Sequence, residues 1–410
     1  LAAAFNAMTL RLKDYIRNLS EATAERERVA AEMNVAQRIQ ASMLPSVFPP
    51  FPGRKEFDLY AEMHPAKVVG GDFYDFFLVD GNRLGVVIAD VSGKSVPAAL
   101  FMVVARTLLR NHLLFGQASE DVFFTVNNQL ADNNETSMFV TAFMGVLEID
   151  TGLFTYVNAG HSPPAIRRSG QGFTWLDIEP CFILGGLENI EFKAMQTRLF
   201  PGDMLFLYTD GVSEANDTQG DLFTEDRILN TLNESAIKSA LGCVDTVRES
   251  VERFTDGAEQ SDDITALALL YNGANADTLT VAADTRALGE LVAFLDVCLD
   301  NAGFSGEEKN GVQLAAEEVF VNVARYAYPE GGGAVRVACA CGTKRIVVTM
   351  EDDGKPYNPL LREDPDVGLP AEARDIGGLG VFMSKSLMDA VYYDFKDGKN
   401  VLTLVKNAAP

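Results

Sequence analysis

The sequence predicts an α+β chain in three parts: a long N-terminal helix, a domain of two β-sheets flanked by helices, and a second, smaller domain of helices and strands. Three observations predict it. Apolar residues recur at 3-4 spacing from Phe5 to Met43. Between 56 and 271, strand-like runs mix with packed helices instead of alternating strictly with them. After the polar break Asn272-Gly273-Ala274-Asn275-Ala276-Asp277, a fresh pattern begins at Thr278 and runs to residue 410. At 410 residues and 47% hydrophobic content, the chain is long enough for more than one buried core.

The first helix, residues 1–44, carries Phe5, Met8, Leu12, Tyr15, Leu19, Ala22, Arg26, Val29, Met33, Ala36, Gln40 and Met43 in one register. So long a stripe predicts a parallel coiled coil and hence a homodimer. Arg26 and Gln40 fall at core positions, where polar groups weaken the seam and either fix register or permit switching. A static dimer spacer accounts for the same pattern equally well. Pro45, Pro49-Pro50 and Pro52-Gly53 then stop the helix, and residues 45–55 form a stiff connector that would pass helix motion on to the region of Asp72.

In the domain that follows, 56–271, Leu84 to Ala89, Thr141 to Ile149, Leu153 to Val157, Ala165 to Arg168, Met204 to Tyr208 and Ile264 to Leu270 read as strands. Pro97 to Leu114 and Glu120 to Leu130 read as helices with an apolar face. Aspartates sit at strand ends: Gly70-Gly71-Asp72-Phe73-Tyr74-Asp75, Ala89-Asp90-Val91-Ser92-Gly93-Lys94, Tyr208-Thr209-Asp210-Gly211 and Ser261-Asp262-Asp263-Ile264-Thr265. Any one segment alone is more often a surface turn. Carboxylates brought together repel one another, and the natural remedy is a divalent cation with oxygen ligands, Mg²⁺ or Mn²⁺ and not Zn²⁺. Two such ions roughly 3.5–4 Å apart polarise a phosphoryl group and generate hydroxide from water.

These motifs, with Pro97-Ala98-Ala99 and Asn158-Ala159-Gly160-His161, resemble the bacterial PPM-type phosphatases, protein phosphatase 2C-like enzymes of the SpoIIE and RsbU kind, over about Lys55 to Tyr271. The resemblance implies a β-sandwich flanked by helices with its site at the edge of the sheet pair. It implies that Asp72 and Asp90 are bridging or innermost ligands of two Mn²⁺ or Mg²⁺ ions, that Val91 offers its carbonyl, and that Asp210 and Asp262 complete the set. Asp263 stands beside them, but the family order of ligand, polar, apolar and Ser/Thr favours Asp262. Val91 replaces the Gly of better-known relatives, and no counterpart of the phosphate-gripping Arg of the eukaryotic branch is found. That implies phosphate held by metal alone and a protein substrate with a larger docking surface. His161 reads as part of a turn and not as a proton carrier, while His64 and His112 have no partners at ligand spacing.

The balance of 34 basic against 58 acidic residues, a net charge of −24, repels nucleic acid and anionic lipid. Five cysteines, odd in number and without metal spacing, suit a reduced, cytoplasmic setting. No stretch of about 18 apolar residues is present. Leu1 to Thr9 resembles the end of a HAMP module, which implies the cytoplasmic portion of a membrane-anchored receptor.

In the last part, Glu318 and Asn322 share a helix face at a spacing of four, within a helix from about Glu307 to Tyr328. Glu351-Asp352-Asp353-Gly354 follows the strand Arg345 to Met350, and Gly377-Gly378-Leu379-Gly380 opens a helix through Met388. Singly, these read as a solvated helix face and ordinary loops. In this order they resemble the GHKL (Bergerat) ATP-binding fold, an α/β sandwich, of the RsbW and SpoIIAB anti-sigma-factor serine kinases over about Asp277 to Lys406. The resemblance implies ATP with Mg²⁺: Asn322 binds the ion, Asp352 reads the adenine amino group, and Gly354, Gly377, Gly378 and Gly380 let the backbone approach the nucleotide. Glu318 would take the proton of a substrate serine, and Tyr326 stands where many relatives have His. A phosphatase and a kinase on one chain imply one substrate for both, a phosphorylated STAS-type anti-sigma-factor antagonist. The alternative is a last domain that holds nucleotide and a sigma factor without transferring phosphate.

Overall fold

The computed structural model describes residues 2–329, 331–342, 344–361 and 379–408, without the side chains of residues 2–10, 12, 14 and 379. The chain divides into two compact units, 1–273 and 274–410.

The first unit begins with helix α1 (Ala2–Met43), uninterrupted because no Gly or Pro occurs in it and ended by Pro45. Strands β1 (Phe57–His64), β2 (Phe73–Leu78) and β3 (Arg83–Val91) follow, then helices α2 (Val96–Leu114) and α3 (Ser119–Ala131). Next come β4 (Val140–Glu148), β5 (Leu153–Ala159), β6 (Ala165–Arg167), β7 (Phe173–Trp175), β8 (Met195–Arg198) and β9 (Met204–Tyr208). The unit closes with α4 (Asp210–Ser213), α5 (Glu225–Glu234), α6 (Ala240–Thr255) and β10 (Ile264–Tyr271).

Its strands form two antiparallel five-stranded sheets, ordered β1-β10-β9-β6-β7 and β2-β3-β4-β5-β8. Period-two alternation divides β9 and β10 between two cores. Leu205, Leu207, Leu267 and Leu269 face the other sheet and share a core with Phe73, Val86, Met144 and Phe154. Their neighbours Met204, Phe206, Tyr208, Ala266 and Ala268 face outward onto Ile228 and Leu232 of α5 and Val244, Val247 and Val251 of α6. Met102, Ala105 and Leu109 of α2, with Val122 and Val126 of α3, join the first core. The result is a helix–sheet–sheet–helix sandwich, with the strand ends carrying Asp90, Asp210 and Asp262 along one edge.

The second unit is a two-layer sandwich. Strands β11 (Asp277–Ala282), β12 (Ala334–Gly342), β13 (Arg345–Asp352), β14 (Ala390–Lys396) and β15 (Lys399–Asn407) pair antiparallel in the order β11-β12-β13-β15-β14. Helices α7 (Leu288–Asn301) and α8 (Gly306–Tyr326) lay Leu291, Leu295, Val312, Ala316 and Phe320 on Val335, Val337, Ile346, Val348 and Leu404. Helix α9 (Leu379–Leu387) meets α8 where Ser384 Oγ donates to the Ala315 carbonyl at 3.2 Å.

The structure corrects the reading of Gln40. This side chain is buried against its own unit, its Nε2 donating to Gly70 O at 2.6 Å and its Oε1 accepting from Gly70 N at 3.1 Å. Met33, Ala36 and Met43 are likewise partly covered, whereas Tyr15, Leu19 and Val29 of the same stripe are exposed. From Met33 onward the stripe is therefore a docking face. Tyr74 Oη adds to it by donating to Pro45 O at 2.7 Å. Gln40→Leu leaves a buried N–H and C=O at Gly70 without partners and is expected to lower stability by about 1–3 kcal/mol, not to tighten a dimer. Urea denaturation with amide exchange at Gly70 checks this, and wild-type stability and protection would contradict the docking.

Candidate functional site

In the first unit, Asp72 precedes β2 and belongs to one sheet, while Thr209 and Thr265 belong to the other. The Asp72 carboxylate is 1% exposed, and its Oδ2 accepts from Thr209 Oγ1 at 2.7 Å and Thr265 Oγ1 at 2.6 Å. Thr265 N also donates to Thr209 Oγ1 at 3.1 Å, so the three side chains form one knot between the sheets. Asp90 lies near the end of β3, opposite Thr141, and shares a hydrogen bond with Asp72. Burial and then the charge of Asp90 push Asp72 well above the usual carboxylate range. Burial, then the charge of Asp210, pushes Asp90 up to about 7. Asp210 opens α4 and is also raised, by burial first and then by Glu214 and Asp262.

Mutually raised carboxylates with only oxygen donors fit a hard divalent cation, which would replace the shared protons. A Cβ on Gly71 would lie 2.8 Å from the Val91 carbonyl, so glycine is what lets this oxygen approach the Asp72 segment. Among the described residues, no three His, Cys, Asp or Glu side chains gather closely enough to hold an ion as they stand. Asp72 is turned to its threonines, and Asp262 to Lys94, whose Nζ is 3.0 Å from Asp262 Oδ2.

The Asp263 carboxylate is engaged by backbone amides. Its Oδ1 accepts from Ala66 N at 2.8 Å and its Oδ2 from Gly71 N at 2.7 Å and Asp72 N at 3.4 Å. It is a buried anchor for the backbone that carries Asp72. His161 is buried as well, its ring Nδ1 3.0 Å from Thr141 Oγ1 and its backbone N–H donating to Asn158 Oδ1 at 3.1 Å. Burial pushes it down to about 4, which leaves a neutral ring suited to holding a turn.

In the second unit, Glu318 and Asn322 lie one turn apart on α8, and Asp352 ends β13. Asp352 Oδ1 accepts from Gly354 N at 3.0 Å and Asn400 Nδ2 at 2.9 Å. Asn400 Oδ1 in turn accepts from Tyr393 Oη at 2.7 Å and Tyr357 N at 3.1 Å. Burial raises Asp352. A Cβ on Gly354 would meet the Ala327 carbonyl at 2.8 Å, and one on Gly380 would collide with the Glu318 carboxylate. Gly377 and Gly378 lie outside the described residues.

Sequence reasoning passed over Thr209, Thr265, Lys94 and Asn400. The first three stand inside the aspartate motifs, but a hydroxyl or ammonium there has no spacing signature of its own.

Asp90 gives a stability test without turnover. Its folded pKa, about 7, lies above the unfolded carboxylate value, so its charge costs the fold stability above pH 7 and nothing once both states are protonated. With chelator present, Asp90→Asn is expected to be more stable than wild type by a few kcal/mol at pH 8. The difference should shrink as pH falls through 7 toward 4, and thermal unfolding across this range checks it.

Residues 80–272 match the family Stage II sporulation protein E, and residues 281–406 match the Histidine kinase-like ATPase domain. The chain is 30% identical over 268 residues to Protein IcfG of Synechocystis, covering 59% of this chain but only 42% of that one. It is 30% identical over 244 residues to Phosphoserine phosphatase RsbU of Bacillus subtilis, covering 59% of this chain and 71% of RsbU. Over 106 residues it is 31% identical to Serine-protein kinase RsbW of Listeria monocytogenes, covering 25% of this chain and 68% of RsbW. The SiaA-PP2C domain of Pseudomonas aeruginosa shares the fold, with a TM-score of 0.53 at 19% identity over 60% of this chain and 99% of that one. With two thirds or more of RsbU and of RsbW matched at 30% and 31% identity, the chain belongs to the SpoIIE/RsbU family of PP2C-like serine phosphatases and carries an RsbW-like ATPase domain on the same polypeptide.

Proposed function

We propose that the first unit removes phosphate from a serine of an anti-sigma-factor antagonist of the STAS type, and that the second binds ATP with Mg²⁺ and phosphorylates the same protein. The observation that carries the first half is the meeting of Asp72, Asp90, Thr209 and Thr265 from both sheets at one buried point. Asp72, Asp90, the Val91 carbonyl, Asp210 and Asp262 would hold two Mn²⁺ or Mg²⁺ ions. Bound there, the ions would supply Lewis acidity and a water of lowered pKa.

The chain's own groups prepare the place. Thr209 and Thr265 orient Asp72, and Asp263 fixes the Gly70–Asp72 backbone beneath it. In the hydrolysis a water oxygen joins phosphorus, the bond from phosphorus to the serine oxygen breaks, and that oxygen leaves with a proton. In the second unit, Asn400 holds Asp352 in place for the adenine amino group, Asn322 would bind Mg²⁺, and Glu318 would receive the serine proton.

A second reading of that unit, a module that holds nucleotide and a sigma factor without transferring phosphate, is favoured by Tyr326. It is 66% exposed one turn beyond Asn322, at the position where the resemblance implies His in many relatives. The exposed Tyr15, Leu19 and Val29 support self-association through the first part of α1. No helix among the described residues is long and apolar enough to cross a membrane, and the HAMP-like start supports attachment to an upstream membrane sensor.

Two measurements test these readings. Asp210→Asn is expected to cut Mn²⁺-dependent hydrolysis of a phosphorylated antagonist by about a hundredfold or more while leaving the fold intact. Near wild-type turnover would show the ligand set to be misread. By calorimetry, Asn322→Ala and Asp352→Asn are each expected to weaken ATP binding about tenfold or more, while Glu318→Gln keeps ATP affinity and loses transfer. ATP binding by the wild type without any transfer would favour the binding module.

A further inference from the structure

The sequence offers this site no arginine for phosphate, yet the structure brings a cation to it. Gly93, at φ +90°, and Ser95, at φ +70°, are both left-handed and turn the chain sharply between β3 and α2. This carries Lys94 back to the residues before β10, where its Nζ donates to Ser261 O at 2.6 Å and lies 3.0 Å from Asp262 Oδ2. Its charge also bears on Asp210 and Asp263.

The ion pair is half exposed, with side-chain accessibilities of 48% and 38%, and pairs of that kind add little to stability. An ammonium has three donors, and these contacts use two. The two arginines that reach β2 are committed to another carboxylate. Arg106 and Arg110 close on the buried Asp75 at 2.9 and 2.8 Å, and Lys67 pairs with Glu259 at 3.7 Å. A phosphate dianion approaching this acidic chain meets Lys94 on the same carboxylate that is expected to bind metal.

We propose that Lys94 is a substrate-binding residue of the phosphatase reaction, its ammonium leaving Asp262 to hold the phosphoryl oxygens of a phosphoserine and, after hydrolysis, of inorganic phosphate. This rests on the phosphatase reading of the first unit. It predicts two opposite effects of one substitution: phosphate loses a partner, while Asp262 loses a competitor and becomes more available to metal.

The test uses the full chain, wild type beside Lys94→Gln, Lys94→Arg and Lys67→Gln. Titration of inorganic phosphate into the Mn²⁺-loaded protein, followed by calorimetry, is expected to show about tenfold or more weaker binding for Lys94→Gln. Lys94→Arg should largely restore it and Lys67→Gln should match wild type. In turnover of p-nitrophenyl phosphate, Lys94→Gln should raise KM and the inhibition constant of phosphate together, while Mn²⁺ affinity, titrated alone, stays equal or tightens. Unchanged phosphate binding in Lys94→Gln overturns the proposal, as does a fall in Mn²⁺ affinity with phosphate binding unaltered, which would make Lys94 a support for the metal ligands. A wild type that binds phosphate through Lys94 but turns over no phosphoserine would refute the phosphatase reading and leave the phosphate site standing.

Discussion

The buried carboxylate of Asp72 is the constraint around which the first unit is arranged. Charge removed from water must be neutralised or hydrogen-bonded, and an unpaired buried carboxylate takes up a proton instead. Here one oxygen is met by two threonine hydroxyls from the facing sheet, and a hydrogen bond is shared with Asp90. The contact does two things. It ties the two sheets together, and it gathers acids whose mutual repulsion a divalent cation would relieve. The features around it follow from that need. Asp263 holds the backbone below through Gly71 N and Asp72 N, and Gly71 leaves room for the Val91 carbonyl.

The same backbone is where the long helix attaches. Gln40 bonds both the N–H and the carbonyl of Gly70, two residues before Asp72, while Asp263 bonds the next two amides. Withdrawal of Gln40 would therefore free one end of a segment whose other end carries the central carboxylate. A helix fixed at its last turns and exposed along Tyr15 and Leu19 can receive a partner at one end without disturbing the other by default. Coupling then depends on whether a partner changes how the Gln40 turn sits.

What was legible in the sequence divides along physical lines. The sandwich could be read because β9 and β10 alternate strictly: Leu205, Leu207, Leu267 and Leu269 point one way, their neighbours the other. The aspartates could be read because carboxylates beside glycine at strand ends are costly unless used. Gln40 was misplaced because 3-4 spacing marks an apolar stripe without saying what covers it; a coiled-coil partner and the helix's own domain leave the same pattern. Asp262 and Asp263 are adjacent, so only the fold reveals that one faces three amides and the other an ammonium. Lys94 escaped because a lysine before a helix ordinarily reads as solvated. In the second unit Asp352 was visible from its motif, but Asn400, which orients it, lies 48 residues away on another strand.

The two units face one electrostatic difficulty with different means. The chain carries a net charge of −24, so its overall field opposes every phosphorylated ligand. Attraction must come from local groups at distances shorter than the screening length, about 8–10 Å at ordinary salt. In the second unit Gly354 packs on Ala327 and Asp352 and Gly380 on the Glu318 carboxylate, where side chains would collide; on the proposed reading, backbone N–H groups there would meet a nucleotide without adding charge. The first unit is lined by carboxylates and cannot attract phosphate with dipoles alone, so cations must enter or already stand at its mouth. A site of that kind is weak for any phosphate until its acids are neutralised. If the ions proposed for this site bind there, their occupancy would gate phosphate binding as well as chemistry, and selection of one phosphoprotein would fall to surfaces beyond the phosphate itself.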